Sequence, residues 1–262
     1  MRLVCLGTCS GTEPMPGRKH VSFVVEHDGG VYWFDAGEGC ASTAHLAGVD
    51  LLSIPAIFIS HTHPDHIGGL ANLIWTMQKL NRRAAEGRSG LASTATQIFI
   101  PDLDVWQAIL RVVRGPAKEY ALSFDLQAQR YDDGVIYDDQ ALRVIGLHNH
   151  HLGEPDPGEA WQSYSFRIEA GSKAVVYSGD VGDVRELAPL LDDCDLFLME
   201  TGHHQVEEVC TYLKESGTSF GRLAFIHHGR AILADPDGEA QKARRILGQD
   251  VLITQDGMAL DV

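Results

Sequence analysis

The sequence predicts an α+β fold in which two β-sheets pack face to face with helices outside them, a four-layer αββα sandwich. Apolar strand runs and helical runs come in mixed order, with tight hairpins as well as strand–helix crossovers. Each half of the chain opens with strands and continues with strand–helix units. The 262 residues are enough for one sizeable core. No Pro/Ser-rich linker, low-complexity tract or short repeat divides them, so residues 1–262 read as a single domain.

The elements follow in order. Arg2–Leu6, Val21–Glu26 and Val31–Phe34 read as strands, with His27-Asp28-Gly29-Gly30 as the hairpin turn between the last two. A short helix is expected over about 41–47, and Ala56–Ser60 is a β-branched apolar run that reads as a buried strand. Helical periodicity runs from Ile67 to about Ala85, and Gly87 to Gly90 breaks it. Gln97–Ile100 is a strand, and Asp102 is placed to cap a helix reaching about Val113. Strands are then expected at 121–124, 127–131, 141–147, 161–169 and 173–178. Helices over 183–191, 204–216 and 237–247 alternate with strands at Asp195–Met199 and Leu223–Ile226, and two short strands finish the chain. The less regular stretches 81–96 and 113–134 suit a lid or dimer contacts. Trp75, Trp106, Tyr120 and Phe124 suit core packing better than a substrate wall.

Composition narrows the function. Hydrophobic residues make up 44% and charged residues 22%, an ordinary globular balance. The formal charge of −15 argues against broad nucleic-acid binding, since an acidic surface repels polyanions. It leaves a phosphate substrate open, because bound divalent metals reverse the sign locally. The cysteines, Cys5, Cys9, Cys40, Cys194 and Cys210, are odd in number with no CxxC spacing, and read as reduced thiols of a cytoplasmic protein. The opening apolar run is too short for a signal peptide, and no run of 18 apolar residues predicts a membrane span.

The chemistry lies in the histidines. There are 13, and most fall in tight groups at 61/63/66, 148/150/151, 203/204 and 227/228. His61-Thr62-His63-Pro64-Asp65-His66 follows a predicted buried strand and precedes a helix. Alternate residues of an extended segment point the same way, so His61 and His63 can share one metal. The chain turns at Pro64, and Asp65 and His66 can face a second metal across the turn. Imidazole and carboxylate ligands suit zinc, iron or manganese.

This motif resembles the metallo-β-lactamase superfamily signature H-x-H-x-D-H. Further segments match in order. Phe34-Asp35-Ala36-Gly37-Glu38-Gly39 resembles the family's first acidic motif, Tyr177-Ser178-Gly179-Asp180 the strand end whose aspartate bridges both metals, and Phe225-Ile226-His227-His228 the terminal strand end. The resemblance implies the αββα sandwich and a binuclear hydrolase site, with metal one on His61, His63 and His151, metal two on Asp65, His66 and His227, and Asp180 between them. Two zinc ions are implied, with manganese or iron as alternatives. Such a centre acidifies a bridging water and clamps the attacking and leaving oxygens, so no serine or cysteine nucleophile is needed. Ser60 and Ser178 are then structural. Among His148, His150 and His151, the family's spacing from Val144 points to His151, with the other two kept as alternatives; His227 is preferred to His228 because it directly ends the strand.

The opening Leu6-Gly7-Thr8-Cys9-Ser10-Gly11-Thr12-Glu13-Pro14-Met15-Pro16-Gly17-Arg18 resembles the start of ribonuclease Z and related phosphodiesterases. Arg18 there can meet an anion or lie in a surface loop. Glu200-Thr201-Gly202-His203 resembles the segment whose histidine assists the leaving group, so His203 joins Asp65 as a catalytic candidate. Ribonuclease Z carries a long basic arm between its third-motif histidine and bridging aspartate. Here that interval is short and holds the acidic Glu154-Pro155-Asp156-Pro157-Gly158-Glu159. The expectation is therefore a phosphodiesterase for a small phosphodiester or cyclic phosphate, with a lactone, carboxylic-ester or lactam hydrolase as the alternative. A ribonuclease Z-type tRNA endonuclease or a non-hydrolytic metal protein ranks lower. No nucleic-acid or membrane partner is expected, and a homodimer is left open.

Overall fold

The computed structural model describes residues 1–84, 95–115 and 121–262. The first half starts with a meander of β1 (Arg2–Gly7), β2 (Ser22–His27) and β3 (Gly30–Phe34). It continues through α1 (Cys40–Leu46), β4 (Ala56–Phe58), α2 (Pro64–Ile67), α3 (Leu70–Ala84), β5 (Ala95–Phe99), α4 (Leu103–Arg114) and β6 (Asp125–Gln129). The second half repeats the plan with a meander of β7 (Gly134–Asp138), β8 (Arg143–His148), β9 (Tyr164–Ala170) and β10 (Lys173–Tyr177). A 3₁₀ turn at Val184–Leu187 leads to α5 (Ala188–Leu191), β11 (Cys194–Thr201), α6 (Val206–Ser216), β12 (Phe220–His228), α7 (Arg230–Ala234), α8 (Pro236–Leu247), β13 (Val251–Ile253) and β14 (Ala259–Asp261).

Among the described residues the strands form two seven-stranded sheets, ordered β14-β1-β2-β3-β4-β5-β6 and β13-β12-β11-β10-β9-β8-β7. Pairing is antiparallel where hairpins connect the strands and parallel where helices cross over. β14 closes the first sheet by returning antiparallel to β1.

The two-residue period of a strand sorts its side chains into layers. Phe23, Phe34, Phe58 and Phe99 point inward and meet Tyr164, Phe166, Tyr177 and Leu198 of the facing sheet. The four phenylalanines stack across β2, β3, β4 and β5 at centroid spacings of 5.0, 4.9 and 4.9 Å. Val24, Trp33 and Ile57 point outward, under α1, α3 and α4. A third cluster lies between the second sheet and α5, α6 and α8. This is the αββα sandwich the sequence predicts.

The structure also differs from the sequence reading. β7 was not expected: its apolar residues, Val135, Ile136 and Tyr137, sit between acidic pairs that resemble turn residues, and only Tyr137 is buried on this edge strand. Residues 121–124, expected as a strand, are irregular; Gln78 of α3 accepts hydrogen bonds from the Ser123 amide and hydroxyl, and Phe124 is buried. The periodic run from Ile67 divides at Gly68-Gly69 into α2 and α3. Asp102 does cap α4, accepting from the amides of Asp104 and Val105. Tyr120 and parts of the irregular stretches 81–96 and 113–134 lie outside the described residues. The five cysteines are free and buried. Among the described residues no helix is long and apolar enough to cross a membrane.

Candidate metal centre

The functional side chains gather where strands of both sheets end. Past β3, Asp35 adopts a left-handed backbone, φ 50°. Its carboxylate accepts from the Ser60 amide (2.7 Å), the Ser60 hydroxyl (2.8 Å) and the Tyr177 hydroxyl (2.7 Å), and lies 2.8 Å from His66 Nδ1. That contact leaves His66 Nε2 facing the site. Past β4 the chain runs extended through His61 and His63, and Pro64 opens α2, which carries Asp65 and His66.

His61, His63, His151 and Asp180 form one group whose ligand atoms all lie within 4.8 Å of one another. His63 Nδ1 stands 3.0 Å from His61 Nε2 and 3.3 Å from His151 Nε2, and both Nε2 atoms are 3.7 Å from Asp180 Oδ2. Asp65, His66, Asp180 and His227 form the second group. Here His227 Nε2 is 3.1 Å from Asp65 Oδ2 and 3.3 Å from His66 Nε2, and Asp180 Oδ1 is 3.3 Å from His66 Nε2. Asp180 belongs to both.

Three observations test whether a divalent cation fits. Imidazole nitrogens about 3 Å apart face one another, and a cation between them satisfies both lone pairs. Asp180 Oδ1 and His227 Nδ1 are buried without a hydrogen-bond partner. Asp35, Asp65, Asp180 and Glu200 are buried together, and among the described residues no Lys or Arg pairs with any of them. Buried carboxylates need compensating charge. Protons on histidines supply it here. Burial opposes charging His66 and His227, but Asp180 outweighs it with help from Asp35 and Asp65, lifting His66 well above its ordinary range and His227 to about 9. A metal takes those nitrogens in place of the protons. The donor set fits.

Other predicted residues fall as follows. His148 Nδ1 lies 2.7 Å from Asp133 and its ring stacks on Trp161, while His150 Nδ1 lies 2.8 Å from Glu186; neither ring joins the clusters. His228 is buried with Nε2 2.8 Å from the Thr254 carbonyl, and burial lowers its pKa to about 3. Ser178 donates to the Gly179 carbonyl. Arg18 donates to Thr8 Oγ1 and the Thr254 carbonyl, and its charge acts on the Asp256 carboxylate, so it braces the first loop against the C-terminal segment. Trp106 and Phe124 are core residues, and Trp75 is partly exposed beside Lys79.

The sequence alone does not mark Glu200 as an active residue. Fully buried at the end of β11, it accepts from the His203 amide and stands 3.1 Å from His203 Nδ1. Burial opposes its ionisation, but contacts with His203 and His227 hold its carboxyl well below the usual range. The Glu200 contact in turn raises the pKa of His203. Asp180, Glu200, His203 and His227 also lie within ligand spacing of one another. A register shift between Glu200 and Thr201 in the β11–β12 pairing turns this segment toward His227, whose own φ is 51°. A cavity of about 640 Å³ opens over His63, Asp65, Asp180, His203 and His227.

Comparison with known proteins adds four likenesses. A family model described as Anti-Pycsar protein Apyc1 matches residues 1–242. Ribonuclease Z of Haloferax volcanii is 25% identical over 305 residues, spanning 100% of this chain and 95% of the relative. Among solved structures, the metallo-β-lactamase fold protein YhfI from Bacillus subtilis superposes with a TM-score of 0.74 at 19% identity, over 99% of each chain. Human tRNase Z, short form, superposes at 0.70 with 18% identity, over 100% of this chain and 99% of that one. These likenesses place the chain in the metallo-β-lactamase fold.

Proposed function

The chain belongs to the Anti-Pycsar protein Apyc1 family, and from that membership and the site's geometry we propose that it is a metal-dependent hydrolase, a phosphodiesterase for a small phosphodiester or cyclic phosphate, with residues 1–262 acting as one unit. The observation that carries the reading is the joining of two His/Asp clusters through Asp180 at the floor of one cavity. His61, His63 and His151 would hold one zinc ion, Asp65, His66 and His227 a second, and Asp180 both; manganese or iron suits the same donors. When bound, the ions supply Lewis acidity, which acidifies water and offsets negative charge gathering on the ester's oxygens.

The chain's own residues do the rest. Asp35 orients His66 from behind, and the α2 turn holds Asp65 at the cavity wall. Ionised Glu200 accepts from His203 Nδ1, and a protonated His203 at the cavity donates to the leaving oxygen. The similarity to ribonuclease Z supports phosphodiester chemistry. A small substrate is supported by the cavity, whose volume is that of a small-ligand site. The connection between β8 and β9 carries acidic residues where a polynucleotide would need basic ones.

The test is a metal assay followed by a substrate panel of bis-p-nitrophenyl phosphate, cyclic nucleotides, lactones and a cephalosporin. Chelation should abolish turnover of the phosphodiesters, and zinc should restore it. Activity confined to lactones or the cephalosporin would overturn the phosphodiester reading. An Asp180→Ala protein with full metal content and activity would overturn the ligand assignment.

A further inference from the structure

At the mouth of the cavity, Arg230 and Glu13 face each other in a two-pronged pair, with Arg230 Nη1 3.1 Å from Glu13 Oε1 and Nη2 2.8 Å from Oε2. Their loops are stitched together underneath. The His228 amide donates to the Thr8 carbonyl at 2.7 Å, the Ser10 hydroxyl to the His228 carbonyl at 2.9 Å, and the Gly229 amide to the Thr201 carbonyl at 3.2 Å. The backbones are fixed while both side chain tips stand in solvent, 74% and 57% exposed. Among the described residues Arg230 is the one Lys or Arg lining this cavity, whose other charged walls include Asp65 and Asp180, in a chain of formal charge −15. Apart from the histidines of the clusters themselves, Arg230 is the cationic side chain that an anion entering this cavity can meet. A guanidinium binds phosphate oxygens in the same forked geometry as a carboxylate, and exposed ion pairs are weak enough to exchange partners.

We propose that Arg230 is the receptor for an anionic oxygen of the substrate and that Glu13 occupies its place until substrate displaces it. Glu13 thereby sets the affinity for anions without touching the reacting atoms, and the pair selects anionic over neutral esters. The inference rests on the phosphodiester reading, and the two fail separately.

The test measures steady-state kinetics on bis-p-nitrophenyl phosphate at low ionic strength, and calorimetric binding of inorganic phosphate, for the zinc-loaded protein and its variants. Arg230→Ala should raise KM and weaken phosphate binding by about tenfold, the usual worth of a charged hydrogen bond, with a smaller fall in kcat. Arg230→Lys should recover part of the affinity. Glu13→Gln should act in the opposite direction, lowering KM by about threefold, within what releasing a weak ion pair yields. That gain should vanish in the Glu13→Gln/Arg230→Ala double variant. If both single variants leave KM and phosphate binding within twofold of the parent, or if Glu13→Gln weakens phosphate binding, Arg230 and Glu13 form only a surface ion pair and the inference falls, whatever phosphodiesters are cleaved. If the chain cleaves only neutral esters while phosphate still competes through Arg230, the phosphodiester reading and the selection of anionic esters both fall, and Arg230 remains only a site for free anions.

Discussion

His228 touches the site's neighbour, not the site. Its ring is buried with Nε2 against the Thr254 carbonyl, and burial depresses its pKa to about 3. The unfolded chain therefore takes up this proton first as pH falls. Stability is unaffected above the ordinary histidine value and is lost between roughly pH 6.5 and 3, at about 1.4 kcal/mol per unit. His228→Gln keeps a donor for Thr254 and removes the titration. In urea melts of the chelated protein, the variant should lose about 2 kcal/mol less than the parent between pH 6.5 and 5; equal losses would refute the assignment. Adjacent His227 is pulled up to about 9 by Asp180 and Asp65. The sequence ranks the two by position at the strand end, yet their opposite electrostatics arise in the fold, from burial at His228 and from carboxylates distant in the chain at His227. Glu200 was missed for the same reason. Placed after Leu198-Met199, it reads as the residue that ends a buried strand, and its full burial against His203 follows only from the β11–β12 register.

At the scale of elements, close backbone approach holds the cluster side chains in place. Gly202 follows the register shift in β11, and a Cβ there would stand 2.6 Å from His227 Nδ1 and 3.0 Å from the Ser10 Cβ. Neither neighbour has room to give, since His227 is buried and Ser10 is tied to the His228 carbonyl. Gly202→Ala should therefore displace the His227 ring, weakening zinc affinity by at least about tenfold while costing about 1–3 kcal/mol of stability from overpacking. Competition with a chromophoric chelator measures the first and urea melts the second. An alanine variant of unchanged zinc affinity would mean that His227 does not hold the metal. Strands and helices with strong periodicity were legible in the sequence because burial on one face imposes that period. β7 was not, because a short edge strand buries only Tyr137 and carries no alternation to read. The division of α2 from α3 was equally hidden. Gly69 abuts Gly37, where a Cβ would lie 2.2 Å from the Gly37 carbonyl oxygen, and that contact joins segments 32 positions apart.

Across the whole molecule, neither half holds a complete site. The first half supplies Asp35, His61, His63, Asp65 and His66, and the second supplies His151, Asp180, Glu200, His203 and His227. The ligand clusters therefore span the seam between the sheets, and a bound ion adds a cross-link to the aromatic core beneath. Metal that binds only the folded chain stabilises it by mass action, by about 2.7 kcal/mol at a free concentration 100 times its dissociation constant. At roughly 2–4 °C per kcal/mol for a chain of this size, zinc should raise Tm by about 5–10 °C over the chelated protein. Asp180 is the residue common to both clusters, so Asp180→Asn, which keeps the side chain's shape, should lose most of that gain. The chelated forms should differ far less, because the mutation then removes only one of several buried carboxylates that histidines already neutralise. Scanning calorimetry with zinc and with chelator separates the two effects. An undiminished zinc-dependent rise in Asp180→Asn would show that each half binds its ion alone, and the two clusters would then be neighbours and not one centre.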